Sequence, residues 1–126
     1  MSEEKKKILL VEDDVFVRDI YNTKFSKEGY EVVMAENGVE ALKKLETITP
    51  NIILLDIVMP YMDGLETLTK IRENKDWEKI PIIMLTNLSD RDRVEYGMEH
   101  GASEYLIKSH FTPTEVMSKV KLLLGE

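Results

Sequence analysis

Five residues in this chain carry side chains that could together handle a phosphoryl group. Glu12 and Asp13 follow the apolar run Ile8-Leu9-Leu10-Val11, and Asp56 follows Ile52-Ile53-Leu54-Leu55. Thr86 follows Ile82-Ile83-Met84-Leu85, and Lys108 follows Tyr105-Leu106-Ile107. If these runs are neighbouring strands, the three carboxylates converge on one rim, where they repel and raise one another's pKa. A hard divalent cation relieves this. Magnesium suits the role, because it takes one or two carboxylates together with phosphate oxygens and keeps several waters. A hydroxyl and an ammonium complete a cradle, and three carboxylates, one Mg2+ and one lysine sum to zero charge. Taken singly, the same residues read as a solvated acidic rim, a helix-entry threonine and an exposed loop lysine. Asp14 suits the cap of the helix that follows.

The elements that must position them alternate five times between short apolar runs and helical patterns. Runs at 8–11, 32–34, 52–55, 82–85 and 105–107 read as strands, with Pro81 tolerated at a strand start. The first helix is expected over 15–28, with Val17, Ile20, Tyr21 and Phe25 on its inner face and Gly29 as its stop. The second is expected over 38–48, facing inward with Ala41, Leu42, Leu45 and Ile48. Leu65, Leu68 and Ile71 mark a third. A weaker fourth covers 90–100, with few apolar positions beyond Val94 and Met98. Val116, Val120, Leu123 and Leu124 mark the last. Strands 1, 3 and 4 are continuously apolar, the pattern of parallel strands covered on both faces. The expectation is an α/β fold, a doubly wound five-stranded parallel sheet flanked by five helices, with its site outside the carboxyl ends of the strands.

The length of 126 residues fits one domain, with a core over about 7–124. No cysteine is present, so disulfides and thiolate metal sites are excluded. The net charge of −7 disfavours contact with nucleic-acid phosphates. No apolar run has the length of a signal peptide or a membrane span, so a cytoplasmic protein with no membrane partner is expected. Lys5, Lys6 and Lys7 read as a solvated lead-in to the first strand. His100 and His110 read as surface residues, and Trp77 as packing the approach to strand 4.

The sequence resembles the receiver domain of bacterial two-component response regulators, including the single-domain chemotaxis type. The resemblance rests on Ile8-Leu9-Leu10-Val11-Glu12-Asp13-Asp14 with Arg18, and on Leu54-Leu55-Asp56-Ile57-Val58-Met59-Pro60-Tyr61-Met62-Asp63-Gly64. Met84-Leu85-Thr86, Gly101-Ala102 and Tyr105-Leu106-Ile107-Lys108 extend it over most of the chain. It implies a flavodoxin-like receiver fold of strand order 2-1-3-4-5 and a stand-alone phosphorelay switch, not an enzyme in the ordinary sense. Asp56 would be the phosphoacceptor. Asp13, Asp56 and the backbone carbonyl of Val58 would ligate Mg2+, and Glu12 would hold it through water. Thr86 and Lys108 would bind phosphoryl oxygens, and Tyr105 would be an aromatic switch that turns inward with Thr86. Met59-Pro60 and Asp63-Gly64 would shape the loop after Asp56. The implied phosphodonor is a sensor histidine kinase or a histidine phosphotransfer protein. The signalling face would be helix 4, strand 5 and helix 5, toward a target that the sequence does not name.

The chain departs from the family pattern twice. Asn87 stands where a small residue usually follows the threonine, and Ser109 stands where proline usually follows the lysine. Without proline, the peptide after Lys108 is expected to be trans, since a non-proline cis bond costs roughly 2.5–4 kcal/mol. Val58 and Leu88 occupy the positions that flank the hydrolytic water in this family. Both are apolar, which implies slow self-dephosphorylation. Other classes fit less well. The chain has no Gly-x-x-x-x-Gly-Lys-Ser/Thr nucleotide loop, and Asp56-Ile57-Val58 lacks the second carboxylate of an Asp-x-Asp phosphohydrolase. A flavin site would want a Ser/Thr/Gly-rich loop where Glu12-Asp13-Asp14 stands. The remaining alternative is a receiver-like interaction module that is never phosphorylated.

Overall fold

The structure, a computed structural model, describes residues 5–126. Five parallel strands form one sheet in the order β2-β1-β3-β4-β5. They are β1 (Lys7–Val11), β2 (Glu31–Ala35), β3 (Ile52–Leu55), β4 (Ile82–Thr86) and β5 (Glu104–Ile107). The helices are α1 (Val15–Lys27), α2 (Gly38–Leu45), α3 (Gly64–Glu73), α4 (Arg91–Glu99) and α5 (Pro113–Leu123). The expected strand order is observed.

The continuously apolar runs are the three central strands. β3 and β4 are buried along their whole length, and so is β1 after Lys7. Alternate residues feed two cores. Leu9, Val11, Ile53, Leu55 and Met84 pack with Ala41, Leu45, Leu68 and Ile71 of α2 and α3. Ile8, Leu10, Ile52, Leu54 and Ile83 pack with Tyr21 and Phe25 of α1 and Val116 and Val120 of α5. Trp77 packs against the first of these cores, as expected. Among the described residues, no helix is long and apolar enough to cross a membrane.

Local chemistry sets the helix ends. Asp14 caps α1, its Oδ1 accepting from the N–H groups of Phe16 (2.9 Å) and Val17 (3.1 Å). Gly29, at φ +93°, ends the same helix, and the Tyr30 N–H closes back onto the Phe25 carbonyl at 3.2 Å.

Several expectations need correction. Ile20 is 55% exposed, off the inner face of α1. At about 100° per residue, Val17, Tyr21 and Phe25 span a narrow stripe that Ile20 falls outside. α2 stops at Leu45, and Ile48 lies beyond it; the chain is heading for Pro50, and the residue before a proline disfavours helical backbone. α4 runs one residue shorter at each end than expected, with Asp90 as its cap and Met98 46% exposed. Lys7 belongs to β1, and Lys6 pairs with Glu126 at 3.4 Å, so these lysines are not merely a solvated lead-in.

Candidate functional site

Strand register delivers the site. Val11 pairs with Leu55, so Glu12 and Asp56 leave the sheet side by side. Leu55 pairs with Met84, and Thr86 pairs with Ile107, which brings Thr86 and Lys108 to the same rim. One carboxylate oxygen each from Glu12, Asp13 and Asp56 lies within 4.8 Å of the others.

The Lys108 ammonium reaches into this cluster. It donates to Asp56 Oδ2 at 2.8 Å and to Glu12 Oε1. Glu12 and Asp56 are buried, only 3% and 6% exposed, whereas Asp13 faces solvent. Burial, followed by the nearby Asp56 charge, pushes the Glu12 pKa up against the opposing pull of Lys108. Burial alone would lower the Lys108 pKa, but its hydrogen bonds to Asp56 and Glu12 outweigh this and raise it. The remaining contacts fix orientation. Asp56 Oδ1 accepts from the Ile57 N–H at 2.7 Å, and Glu12 Oε2 from the Asp14 N–H at 3.1 Å. Arg18 donates to the Glu12 backbone carbonyl at 3.0 Å. Three carboxylates facing one ammonium leave the rim two negative charges in excess.

The loop after Asp56 doubles back tightly. The Gly64 N–H donates to the Ile57 carbonyl at 2.9 Å. A Cβ at Gly64 would stand 2.0 Å from the Asp56 carbonyl oxygen, so only glycine fits. Tyr61, 88% exposed, adopts φ +69° in a γ-turn closed by the Met62 N–H on the Pro60 carbonyl at 2.8 Å. Asp63 caps α3, accepting from the Glu66 N–H at 2.9 Å. The Val58 side chain is 60% exposed in this loop.

Thr86 is buried at the end of β4, its Oγ1 accepting from the Leu88 N–H at 3.3 Å. Tyr105 is half-buried, and its hydroxyl donates to the Leu88 carbonyl at 2.6 Å. Burial pushes the Tyr105 pKa up to about 12. Gly97 makes room for that ring, since a Cβ there would meet Tyr105 Cδ2 at 3.3 Å. Thr86 and Tyr105 therefore share one anchor, Leu88. His100 and His110 are exposed, as expected.

The strand register and the Lys108 contacts bring Glu12, Asp56, Thr86 and Lys108 to one rim, with Asp13 beside them. Residues 8–121 match the family described as "Response regulator receiver domain". This chain belongs to the response regulator receiver family. The receiver is 44% identical over 95% of its length to "Probable transcriptional regulator ycf27" of Cyanophora paradoxa, covering 48% of that protein. It is 39% identical over 94% of its length to "Alkaline phosphatase synthesis transcriptional regulatory protein PhoP" of Bacillus subtilis, covering 48% of that protein. The chain thus spans about half the length of the curated relatives it matches. Among solved structures, a "response regulator receiver domain protein (CheY-like)" from Methanospirillum hungatei superposes with a TM-score of 0.90 at 31% identity, covering 97% of this chain and 95% of that one. As a receiver, the chain is a phosphoacceptor and not a conventional enzyme.

The sequence reading missed one contact. Asn87 Oδ1 accepts from the Ser109 N–H at 3.0 Å, so the two departures from the family pattern are each other's partners. The Lys108–Ser109 peptide is trans.

Proposed function

We propose that this receiver accepts a phosphoryl group from a phosphohistidine partner onto the carboxylate of Asp56. The observation that carries the reading is the rim itself: Glu12 and Asp56, side by side, share one ammonium, with Asp13 within reach. An Asp56 oxygen attacks phosphorus, the bond from phosphorus to the donor imidazole breaks, and the electron pair leaves with that ring. The product is an aspartyl phosphate. Lys108, already at Asp56, pairs with one phosphoryl oxygen, and the Thr86 hydroxyl donates to another.

The donor set fits magnesium. All three ligand groups are hard carboxylates, and oxygens around an octahedral ion at about 2.0–2.1 Å stand about 3–4 Å apart. The observed spread, within 4.8 Å, closes to that with small side-chain movements. Asp13, Asp56 and the Val58 carbonyl would hold the ion, with Glu12 on one of its waters. When bound, it would offset the charge gathering on the transferring group.

Output would pass through α4, β5 and α5. In support, Gly97 is the one buried residue of α4, and Tyr105 of β5 is tied to the loop that Thr86 opens. A cytoplasmic setting goes with this reading, because the kinase must reach both ATP and the receiver. The curated relatives, of whose length the chain spans about half, lend no support to a stand-alone switch.

Phosphotransfer profiling tests the reading. Among phosphorylated histidine kinases and phosphotransfer proteins, at least one should label wild type within minutes and leave Asp56→Asn unlabelled. Equal labelling of both proteins would contradict it.

A further inference from the structure

We propose that Asn87 is a positioning residue for phosphoryl transfer: its side-chain amide pins the turn that carries Lys108 and so sets where the ammonium stands against Asp56. The inference rests on the phosphoacceptor reading above and names a residue that reading does not use.

The Lys108 ammonium works at close range, 2.8 Å from Asp56 Oδ2. Its backbone is less firmly held. Lys108 opens a 3-10 turn, Lys108–His110, whose start has no side-chain cap among the described residues. The bond that closes the turn, from the Phe111 N–H to the Lys108 carbonyl, is long at 3.4 Å. Turns of this kind have poor hydrogen-bond geometry, and Ser109 and His110 are exposed, so little packing restrains them.

The tie across to the sheet is the Ser109 N–H on Asn87 Oδ1 at 3.0 Å. Register explains why asparagine can make it. Thr86 pairs with Ile107, so Asn87 and Lys108 leave β4 and β5 at the same level. A side chain with one carbonyl two bonds beyond Cα then reaches the next amide along. Its base is firm, because Asn87 directly follows Thr86, which is buried at the end of a fully buried strand. The amide thus transmits the fixed position of β4 to the otherwise loose turn.

The lever matters because positioning errors are magnified in rate. A misplacement of about 1 Å in a reacting group can cost up to ~100-fold. The bond itself is exposed and contributes little to folding, so its loss should appear in the chemistry and not in stability.

The test uses phosphoramidate, whose P–N bond is of the kind broken in phosphohistidine, and follows acyl-phosphate formation by intact mass at a series of Mg2+ concentrations. The variants are Asn87→Ala and Asn87→Leu, the second keeping the size without the acceptor, each in wild type and in a Ser109→Pro background that lacks the donor N–H. Any effect of proline on the path of Lys108 cancels in the cycle. In the wild-type background both Asn87 variants should label about three- to tenfold more slowly, the size expected for one lost hydrogen bond. The Mg2+ concentration for half-maximal rate should not rise, and the thermal midpoint should stay put. In the Ser109→Pro background neither variant should slow labelling further.

Labelling of Asn87→Ala and Asn87→Leu at the wild-type rate would overturn the inference. So would equal slowing in both backgrounds, or slowing explained by weaker Mg2+ binding. Failure of the wild type to label at all would overturn the phosphoacceptor reading and this inference with it. A labelled wild type with unaffected Asn87 variants would overturn this inference alone.

Discussion

At the base of the sheet, Glu28 lies between Lys24 at 3.5 Å and Lys121 at 3.2 Å, and Glu126 lies beside Lys6 at 3.4 Å. At the rim, Glu12 and Asp56 share the single ammonium of Lys108, and Asp13 adds a third negative charge. Both ends are built from the same side-chain types. At the base each carboxylate has an ammonium at hand, and the pairs are wet, so screening makes each worth little. At the rim two of the carboxylates are buried and compensation falls short. An imbalance of that kind raises the energy of the resting rim, and the rim gives it up when positive charge arrives. At the base charge is already balanced by exposed pairs that add little to stability; the rim is poised to take a ligand.

The comparison breaks first at its two lysines. Lys108→Ala leaves Glu12 and Asp56 buried without a cation, and in metal-free buffer it should cost roughly 3–4 kcal/mol, toward the lower end for a broken buried pair. The lower end applies because Glu12, its pKa already raised, can take up a proton. Mg2+ should recover part of that loss by binding the folded state. Lys121→Ala, at the exposed pair, should cost less than about 1 kcal/mol and ignore Mg2+. Urea unfolding with and without Mg2+ decides this, and equal losses for the two variants would erase the distinction.

Two glycines sharpen it. Gly64→Ala drives a Cβ to 2.0 Å from the Asp56 carbonyl, so the cost should reach the upper part of the range of about 1–3 kcal/mol for overpacking, with labelling slowed as Asp56 shifts. Gly29, at the base, has open space around it and needs glycine only for its φ of +93°. Gly29→Ala should cost about 1–2 kcal/mol and leave labelling unchanged.

Lifetime is the finer test of the rim. Val58 is exposed and Leu88 carries only backbone hydrogen bonds to Thr86 and Tyr105, so neither side chain can orient a water. A positioned polar group typically contributes about 100- to 10,000-fold to a proton-transfer step. Val58→Asn with Leu88→Glu should therefore speed acyl-phosphate decay by about tenfold or more in excess Mg2+. Decay of the wild type as fast as the double variant would refute the argument.

Much of the rim was legible in the sequence because it depends on strand ends. Glu12, Asp56, Thr86 and Lys108 each follow an apolar run, and a parallel sheet brings such ends together whatever the helices do. What the sequence hid depends on register or on close approach. Asn87 and Ser109 read as unrelated departures, since only the pairing of Thr86 with Ile107 puts the amide of one beside the side chain of the other. Gly64 read as loop-shaping, but its demand comes from a carbonyl eight residues back that the sequence does not place. Ile20 shows the limit of helical periodicity, which finds a face but not how wide the neighbouring core is. Lys6 and Lys7 looked like a lead-in because their partners, Glu126 and Glu31, are distant in sequence or on another strand.

The central claim is that the rim exists to phosphorylate Asp56. The most direct measurement is intact-mass labelling by a small phosphodonor with Mg2+, comparing wild type with Asp56→Asn and with Asp13→Asn. Wild type should gain one phosphoryl group that hydroxylamine removes, as it does acyl phosphates. Asp56→Asn should gain none, and Asp13→Asn should label far more slowly and need much higher Mg2+. Full labelling of Asp56→Asn, or labelling of wild type that is indifferent to Mg2+ removal, would contradict the account.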